Sequence, residues 1–341
     1  RGAKVSDVTG MQQNDVLKEY VARGNFIFPP AQSIRLAGDM LFYVGEYMPR
    51  YQATTVCGYH QAEKGANRVH EAAFALADAF AFIQAATDRG VDVDRIAPGV
   101  MFFPYGDHRG LFEEVAKLRA MRRIYSRVLR DRYKAKKPES IKCRLYGASG
   151  GTSLAREQYL NNIGRLTLAA FACALAGCEF IDSRTYDEGY GIPTQEACVN
   201  AVRNQNVVAY ETGVDDTIDP MAGSYFIETL TCEIEERVLK ELEEIERRGG
   251  IVQCIESGYC QRVIAEDGYK WQKRFEHGEV RKVGVNIFPS AVGEEQLPVR
   301  IYRANAEVEA QRRTAILEIK KKRDNKKVKK ALDEIRAIAG M

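Results

Sequence analysis

His60 closes the run ATTVCGYH (residues 53–60). An imidazole placed there can hydrogen-bond a carbonyl oxygen and steady charge that develops on it. Arg23, in KEYVARGNF, offers a planar guanidinium fork that matches a carboxylate with two parallel hydrogen bonds. Gln13 stands just ahead of that helical stretch. Glu63 and Glu188 bring carboxylates able to accept hydrogen bonds from amides or hydroxyls. Read singly, each has an ordinary structural role as a core histidine, an arginine at a helix end, or an acid at a helix start. His70, His108 and His277 fall in no motif and read as structural or exposed. The eight cysteines form no C-x-x-C pair and the four histidines no zinc spacing, so no metal site is expected. No expected strand clearly ends in the lysine that a Schiff-base aldolase would need.

The chain that must position these groups has 341 residues, 45% of them hydrophobic and 28% charged, which is enough for a large buried core and excludes a disordered or collagen-like class. A net charge of +3, with Lys and Arg interleaved with Asp and Glu, gives no support to a nucleic-acid partner. No signal peptide or uninterrupted apolar span is visible, so no membrane role is expected. Most cysteines sit in apolar stretches such as FACALAGC, where a reduced thiol acts as a small hydrophobe. That points to a reducing, cytoplasmic-type compartment.

Short β-rich runs alternate with amphipathic ones. Strands are expected at ATTVCGY from Ala53, GVMFF from Gly99, KCRLYGAS from Lys142 and CEFIDS from Cys178. Helices are expected over 63–89, closed by Gly90, and over 110–133, 161–175 and 233–248. This βαβα order predicts a parallel sheet with helical crossovers, and periodicity leaves a closed barrel and a doubly wound sheet both open. No G-x-G-x-x-G follows a strand. Polar residues gather at the carboxyl ends of the strands: Tyr59 and His60, Pro104 and Tyr105, Tyr146, then Ser183 and Arg184. A (β/α) barrel builds its active site at that end. From about Ala304 the chain reads as a charged helical tail that includes KKKRDNKKVKK, a solvated face or a surface for an acidic partner.

With the elements placed, NDVLKEYVARGNFIFPP (from Asn14), GYHQAEKGA (from Gly58), LNNIGR (from Leu160), TYDEGYGIPT (from Thr185), ETGVDDTIDPMAGSYF (from Glu211) and VGVNIF (from Val283) resemble, in order, the barrel domain of the methylmalonyl-CoA mutase family. The resemblance implies an α/β fold, part of a (β/α)8 TIM-type barrel over residues 1–288, with a linker and helical tail over 289–341. It implies an adenosylcobalamin-dependent radical isomerase in which an acyl-thioester group migrates to the neighbouring carbon. His60 would be the catalytic histidine. Arg23, Gln13, Tyr59, Phe103 and Tyr146 would bind substrate, and Glu63, Glu188 and Gly189 would face the cofactor. The D-x-H-x-x-G cobalt-ligand motif is not found, since Asp107-His108 runs on into Arg109-Gly110. The cobalamin-binding domain, and the first barrel strands, are therefore expected upstream, downstream or on a partner chain.

Several positions depart from the family pattern. Met11 stands for a threonine, Gly99 for an arginine, Met101 for a serine, Glu139 for a phosphate-pairing lysine, Tyr146 for a histidine and Ala148 for a glutamine. The changes remove groups that would hold the CoA tail, and Glu139 would repel a phosphate. Three readings follow: a methylmalonyl-CoA/succinyl-CoA type mutase, a mutase for a different acyl group or carrier, and a non-catalytic barrel subunit of a mutase complex.

Overall fold

A computed structural model of the chain describes residues 4–290 and 305–339. The chain divides into two compact units, Arg1–Val299 and Arg300–Met341.

Among the described residues of the first unit, seven short strands lie in five passes of the chain: β1 (Gly10–Met11); β2 (Tyr51–Gln52) continued by β3 (Thr54–Val56); β4 (Val100–Phe102) continued by β5 (Tyr105–Gly106); β6 (Tyr146–Ser149); and β7 (Phe180–Asp182). Every pairing is parallel: β1 with β2, β3 with β4, β5 with β6 and β6 with β7. A bridge from Phe102 to Leu145 joins the third pass to the fourth. Each pass thus lies beside the next one in sequence, and the order never reverses. A doubly wound sheet needs such a reversal, so the order is that of a singly wound, barrel-type sheet. Strands β3 and β4 are buried at every residue, as parallel strands covered on both faces must be.

Several boundaries differ from expectation, among them the strand expected from Lys142, which begins only at Tyr146. The strand after Ala53 stops at Val56 rather than running to Tyr59, because the Cys57 N–H is taken by the Asp15 carboxylate at 2.7 Å and Gly58–Lys64 coils into a short helix. His60 therefore sits in a first helical turn, not on a strand. The helix expected over 63–89 is two helices, Gly58–Lys64 and Arg68–Thr87. Gly65, at φ +125°, lies where the backbone of helix Tyr259–Glu276 passes, and a Cβ there would come within 2.9 Å of Gly268 Cα. Asn67 then restarts the helix, its side chain accepting from the N–H groups of Val69 and His70.

Helix Arg68–Thr87 is long and apolar enough to cross a membrane, yet it is mostly buried here. It packs against helices Pro30–Tyr47, Leu111–Asp131 and Tyr225–Arg247, around a core that includes Phe74, Phe82, Ile83, Phe102 and Tyr125. The expected helices over 161–175 and 110–133 are found as Asn161–Leu175 and Leu111–Asp131, and the one from Glu233 begins earlier, as Tyr225–Arg247.

A buried ionic knot fixes the outer helices to the sheet. The fully buried Lys117 ammonium bonds Glu71 at 2.7 Å, Glu114, and the Tyr105 carbonyl oxygen at 2.9 Å, while the other Glu71 oxygen accepts from the Tyr105 N–H at 2.7 Å. In the second unit the expected helical tail is found as two helices, Ala306–Lys322 and Asn325–Ala339. Arg323 is extended between them and the Asp324 carboxylate accepts from the N–H groups of Lys326 and Lys327. Most of the expected linker lies outside the described residues.

Candidate active site

The segment that follows β1 carries half of the site. Asp15, 3% exposed, accepts from Lys18 N–H with one oxygen and from Cys57 N–H with the other. One carboxylate so ties the turn after β1 to the turn after β3, some forty residues on. Burial raises its pKa, against the pull of those two amides and of the Lys18 ammonium. The chain then makes a single π-helical turn, Glu19–Arg23, closed by Gly24 in the left-handed conformation at φ +75°. Leu17 and Val21 face the core, and Arg23 ends the turn with its guanidinium exposed.

Across from it, His60 is half-buried. Its Nδ1 lies 3.3 Å from Lys18 Nζ and 2.8 Å from Cys57 Sγ, and its Nε2 lies 3.4 Å from an Arg23 guanidinium nitrogen. Burial, then the positive charges of Lys18, Arg23 and Arg184, lower its pKa from 6.5 to about 4. At neutral pH the ring is uncharged. It can donate one hydrogen bond and accept one, without competing with the cations for a bound anion.

These groups open on one cavity of about 340 Å³, lined by Met11, Gln13, Arg23, Thr55, His60, Phe103, Tyr146, Asp182 and Arg184. Gln13, Arg23, His60, Phe103 and Tyr146, from four different passes of the sheet, meet there; the first four follow β1, β3 and β4, whereas Tyr146, expected at a carboxyl end, is the first residue of β6. Tyr59 does not line the cavity. It stands behind, 6% exposed, in a second apolar cluster with Cys57, Phe103, Tyr105 and Ala148. Its hydroxyl accepts from Arg184 Nε at 3.1 Å, and burial pushes its pKa up to about 12. Arg184 is further held by Asp182 at 3.0 Å. Arg23 has no carboxylate partner among the described residues.

Glu63 and Glu188 form a second group. They flank Gly151, where a Cβ would lie 3.6 Å from a Glu63 oxygen and 3.8 Å from a Glu188 oxygen. The missing side chain leaves a shallow cradle between two carboxylates. Glu63 accepts from the Thr152 N–H at 3.2 Å, and burial raises the pKa of both acids. Acceptors of this kind suit the amide and hydroxyl donors of a corrin rim and a ribose, so the residues fit adenosylcobalamin. Gly189, the third residue expected here, turns elsewhere and abuts Arg156, whose Cγ would be 2.8 Å from a Cβ.

Residue reasoning overlooked Asp15, Lys18, Thr55, Cys57 and Asp182. The usable signal was the pairing of polar Asp15 and Lys18 with apolar Leu17 and Val21 on the inner side of one turn. Of the departures from the family pattern, Met11 and Tyr146 reach the cavity, while Met101 and Ala148 are buried in the sheet. Glu139 is paired with Arg144 at 3.1 Å, so its charge is compensated at the amino end of β6.

A singly wound parallel sheet with a polar cavity at its edge defines the class: the cavity-bearing part of a barrel-type α/β fold. The chain belongs to the methylmalonyl-CoA mutase family, whose model, described as "Methylmalonyl-CoA mutase", matches residues 1–340. It is 36% identical over 339 residues to the 2-hydroxyisobutanoyl-CoA mutase large subunit of Aquincola tertiaricarbonis, covering 99% of this chain and 60% of that one. It is 34% identical over 340 residues to the methylmalonyl-CoA mutase of Rhizobium meliloti (strain 1021), with coverages of 99% and 47%. Against the methylmalonyl-CoA mutase large subunit of Propionibacterium freudenreichii subsp. shermanii, identity is 31% over 341 residues, covering 100% of this chain and 46% of that subunit. The chain thus spans about half the length of the curated relatives it matches, from 46% to 60% in these three.

Proposed function

We propose that this chain is the acyl-binding part of an adenosylcobalamin-dependent acyl-CoA mutase, acting with a cobalamin-binding domain or subunit and with a segment that supplies the remaining barrel strands. The observation that carries the reading is the convergence of His60, Arg23 and Gln13 on one cavity at the carboxyl ends of a singly wound parallel sheet. His60, uncharged at neutral pH, hydrogen-bonds the thioester carbonyl oxygen of the bound acyl group. Arg23, without a carboxylate partner among the described residues, holds a second acidic or oxygen-bearing substituent. Phe103 and Tyr146 form the aromatic wall that keeps water away from the reacting carbons, and Tyr59 packs behind Phe103. Glu63 and Glu188 accept hydrogen bonds from the cofactor's amide and hydroxyl groups. When bound, the cofactor supplies the radical chemistry that lets the thioester group and a hydrogen exchange places on adjacent carbons. Eight free cysteines agree with a reducing, cytoplasmic-type compartment.

A substrate other than methylmalonyl-CoA is favoured by a specific feature. Met11 and Tyr146 put a thioether and a phenol into the cavity, and Asp182 adds a carboxylate. The experiment is to assemble the chain with its cobalamin-binding and barrel-completing partners, add adenosylcobalamin, and offer methylmalonyl-CoA and 2-hydroxyacyl-CoA thioesters. The expected result is an isomeric acyl-CoA, detected by chromatography and mass spectrometry, with turnover lowered about a hundredfold to a thousandfold by His60→Asn. An assembly that binds the cofactor yet isomerises none of these thioesters would mark the chain as a non-catalytic barrel subunit.

A further inference from the structure

Behind the cavity lies a lysine that substrate does not need to touch. Lys18 is 1% exposed, and its ammonium reaches Gln13 Oε1 at 2.5 Å, His60 Nδ1 at 3.3 Å and Glu19 at 3.6 Å. An ammonium donates hydrogen bonds and never accepts them. Gln13 must therefore turn its carbonyl oxygen inward, which leaves its NH2 toward the cavity. The imidazole obeys the same rule. Its Nδ1 faces two donors, Lys18 Nζ and the Cys57 thiol, so Nδ1 is the acceptor and the ring proton sits on Nε2. The other tautomer would let Nε2 accept from Arg23 at 3.4 Å, at the expense of pressing an N–H against a fully buried ammonium. Arg23 is exposed and screened by water, whereas Lys18 is not, so the buried contact decides.

We propose that Lys18 is a positioning residue that fixes His60 as its Nε2–H tautomer and turns the Gln13 amide outward, so that this wall of the cavity presents donors only. The inference rests on the mutase reading for the identity of the ligand and deepens it. Nε2–H and the Arg23 guanidinium are two donors side by side with no acceptor between them. The acyl group that satisfies them is rich in acceptors: a thioester carbonyl at Nε2–H, and a carboxylate or hydroxyl oxygen at Arg23. The groups facing the ring are Lys18 and Arg23 from the turn after β1, Cys57 from its own segment and Arg184 from the end of β7, and Asp182 is the acid that lines the same cavity.

The full chain has only four histidines, which makes nitrogen-15 histidine spectra simple to assign, with His60→Asn identifying the His60 signals. The expected wild-type ring is neutral, protonated on Nε2, and does not titrate between about pH 5.5 and 8. Lys18→Met should populate the Nδ1–H form and raise the midpoint of His60, with burial and the charges of Arg23 and Arg184 still holding it below 6.5, and Lys18→Arg, which keeps the cation, should restore the wild-type pattern. A wild-type ring protonated on Nδ1 overturns the proposal, and that spectrum decides alone if Lys18→Met does not fold. So does a folded Lys18→Met chain whose tautomer and titration are unchanged. These spectra need neither cofactor nor acyl-CoA, so they test the lysine independently of the mutase reading. In the assembled enzyme, Lys18→Met should lower kcat by up to about a hundredfold and displace the acid limb of its pH profile upward. An unmoved kcat and pH profile overturns the positioning role as well.

Discussion

His60 and Arg23 divide the work at the residue scale by their surroundings. The imidazole is kept uncharged by burial and by three neighbouring cations, whereas the guanidinium is the one cavity cation left without an acid among the described residues. Arg184 cannot stand in for it, being tied to Asp182 and to the Tyr59 hydroxyl. Replacing Arg23 with Met is therefore expected to raise KM for acyl-CoA substrates bearing a free carboxylate by about tenfold to a hundredfold, the worth of a charged hydrogen bond. A thioester without that group should bind much as before. Steady-state kinetics on both substrates make the comparison, and an equal loss on the two would remove Arg23 from the carboxylate's company.

Among the elements, the loop after β6 and the helix Leu111–Asp131 hold the site by close approach and by charge. At Gly150 a Cβ would fall 1.8 Å from Tyr105 Cζ, inside the ring. Gly150→Ala must displace Tyr105, whose hydroxyl bonds Thr152 Oγ1 at 2.9 Å, and Thr152 in turn holds Glu63. The expected cost is about 1–3 kcal/mol in urea unfolding, together with weaker cofactor binding. Full stability would mean that the loop repacks freely. At Lys117, Met would fill the space but leave Glu71 buried without its cation, while Glu114 keeps Arg68 at 3.0 Å. That loss is expected to reach about 3–5 kcal/mol. An unfolding midpoint close to wild type would show that water enters to solvate Glu71.

For the whole molecule, two histidines link stability to pH with the same sign. His60 and His108 both fall from 6.5 to about 4, in each case through burial first, with Asp107 pulling His108 the other way. Between about 4 and 6.5 the unfolded chain binds more protons at these sites than the folded one, so their contribution is lost as pH falls through that window. Asp15, Glu71 and Asp78, whose pKa values burial raises, carry the opposite slope, so the test compares variants rather than wild type alone. A His60→Asn, His108→Asn double variant should lose less stability than wild type between about pH 6.5 and 4.5 in urea titrations. Parallel curves would mean that both rings protonate as easily folded as unfolded.

The residues by themselves determined the family, the parallel α/β class and five of the residues that line the cavity, because those rest on periodicity and on short ordered motifs such as GYHQAEKGA. They also located helix Asn161–Leu175, since its apolar face is a local pattern. Tertiary structure alone decided the order of the strands, the break at Gly65, and the place of His60 in a helical turn. Each depends on atoms far apart in the chain: Asp15 on the Cys57 amide, Gly268 against Gly65. The direction in which His60 and Gln13 offer their protons belongs to the same kind. A ring or an amide carries no preference in its own sequence, and the nearest buried cation, here Lys18, imposes one.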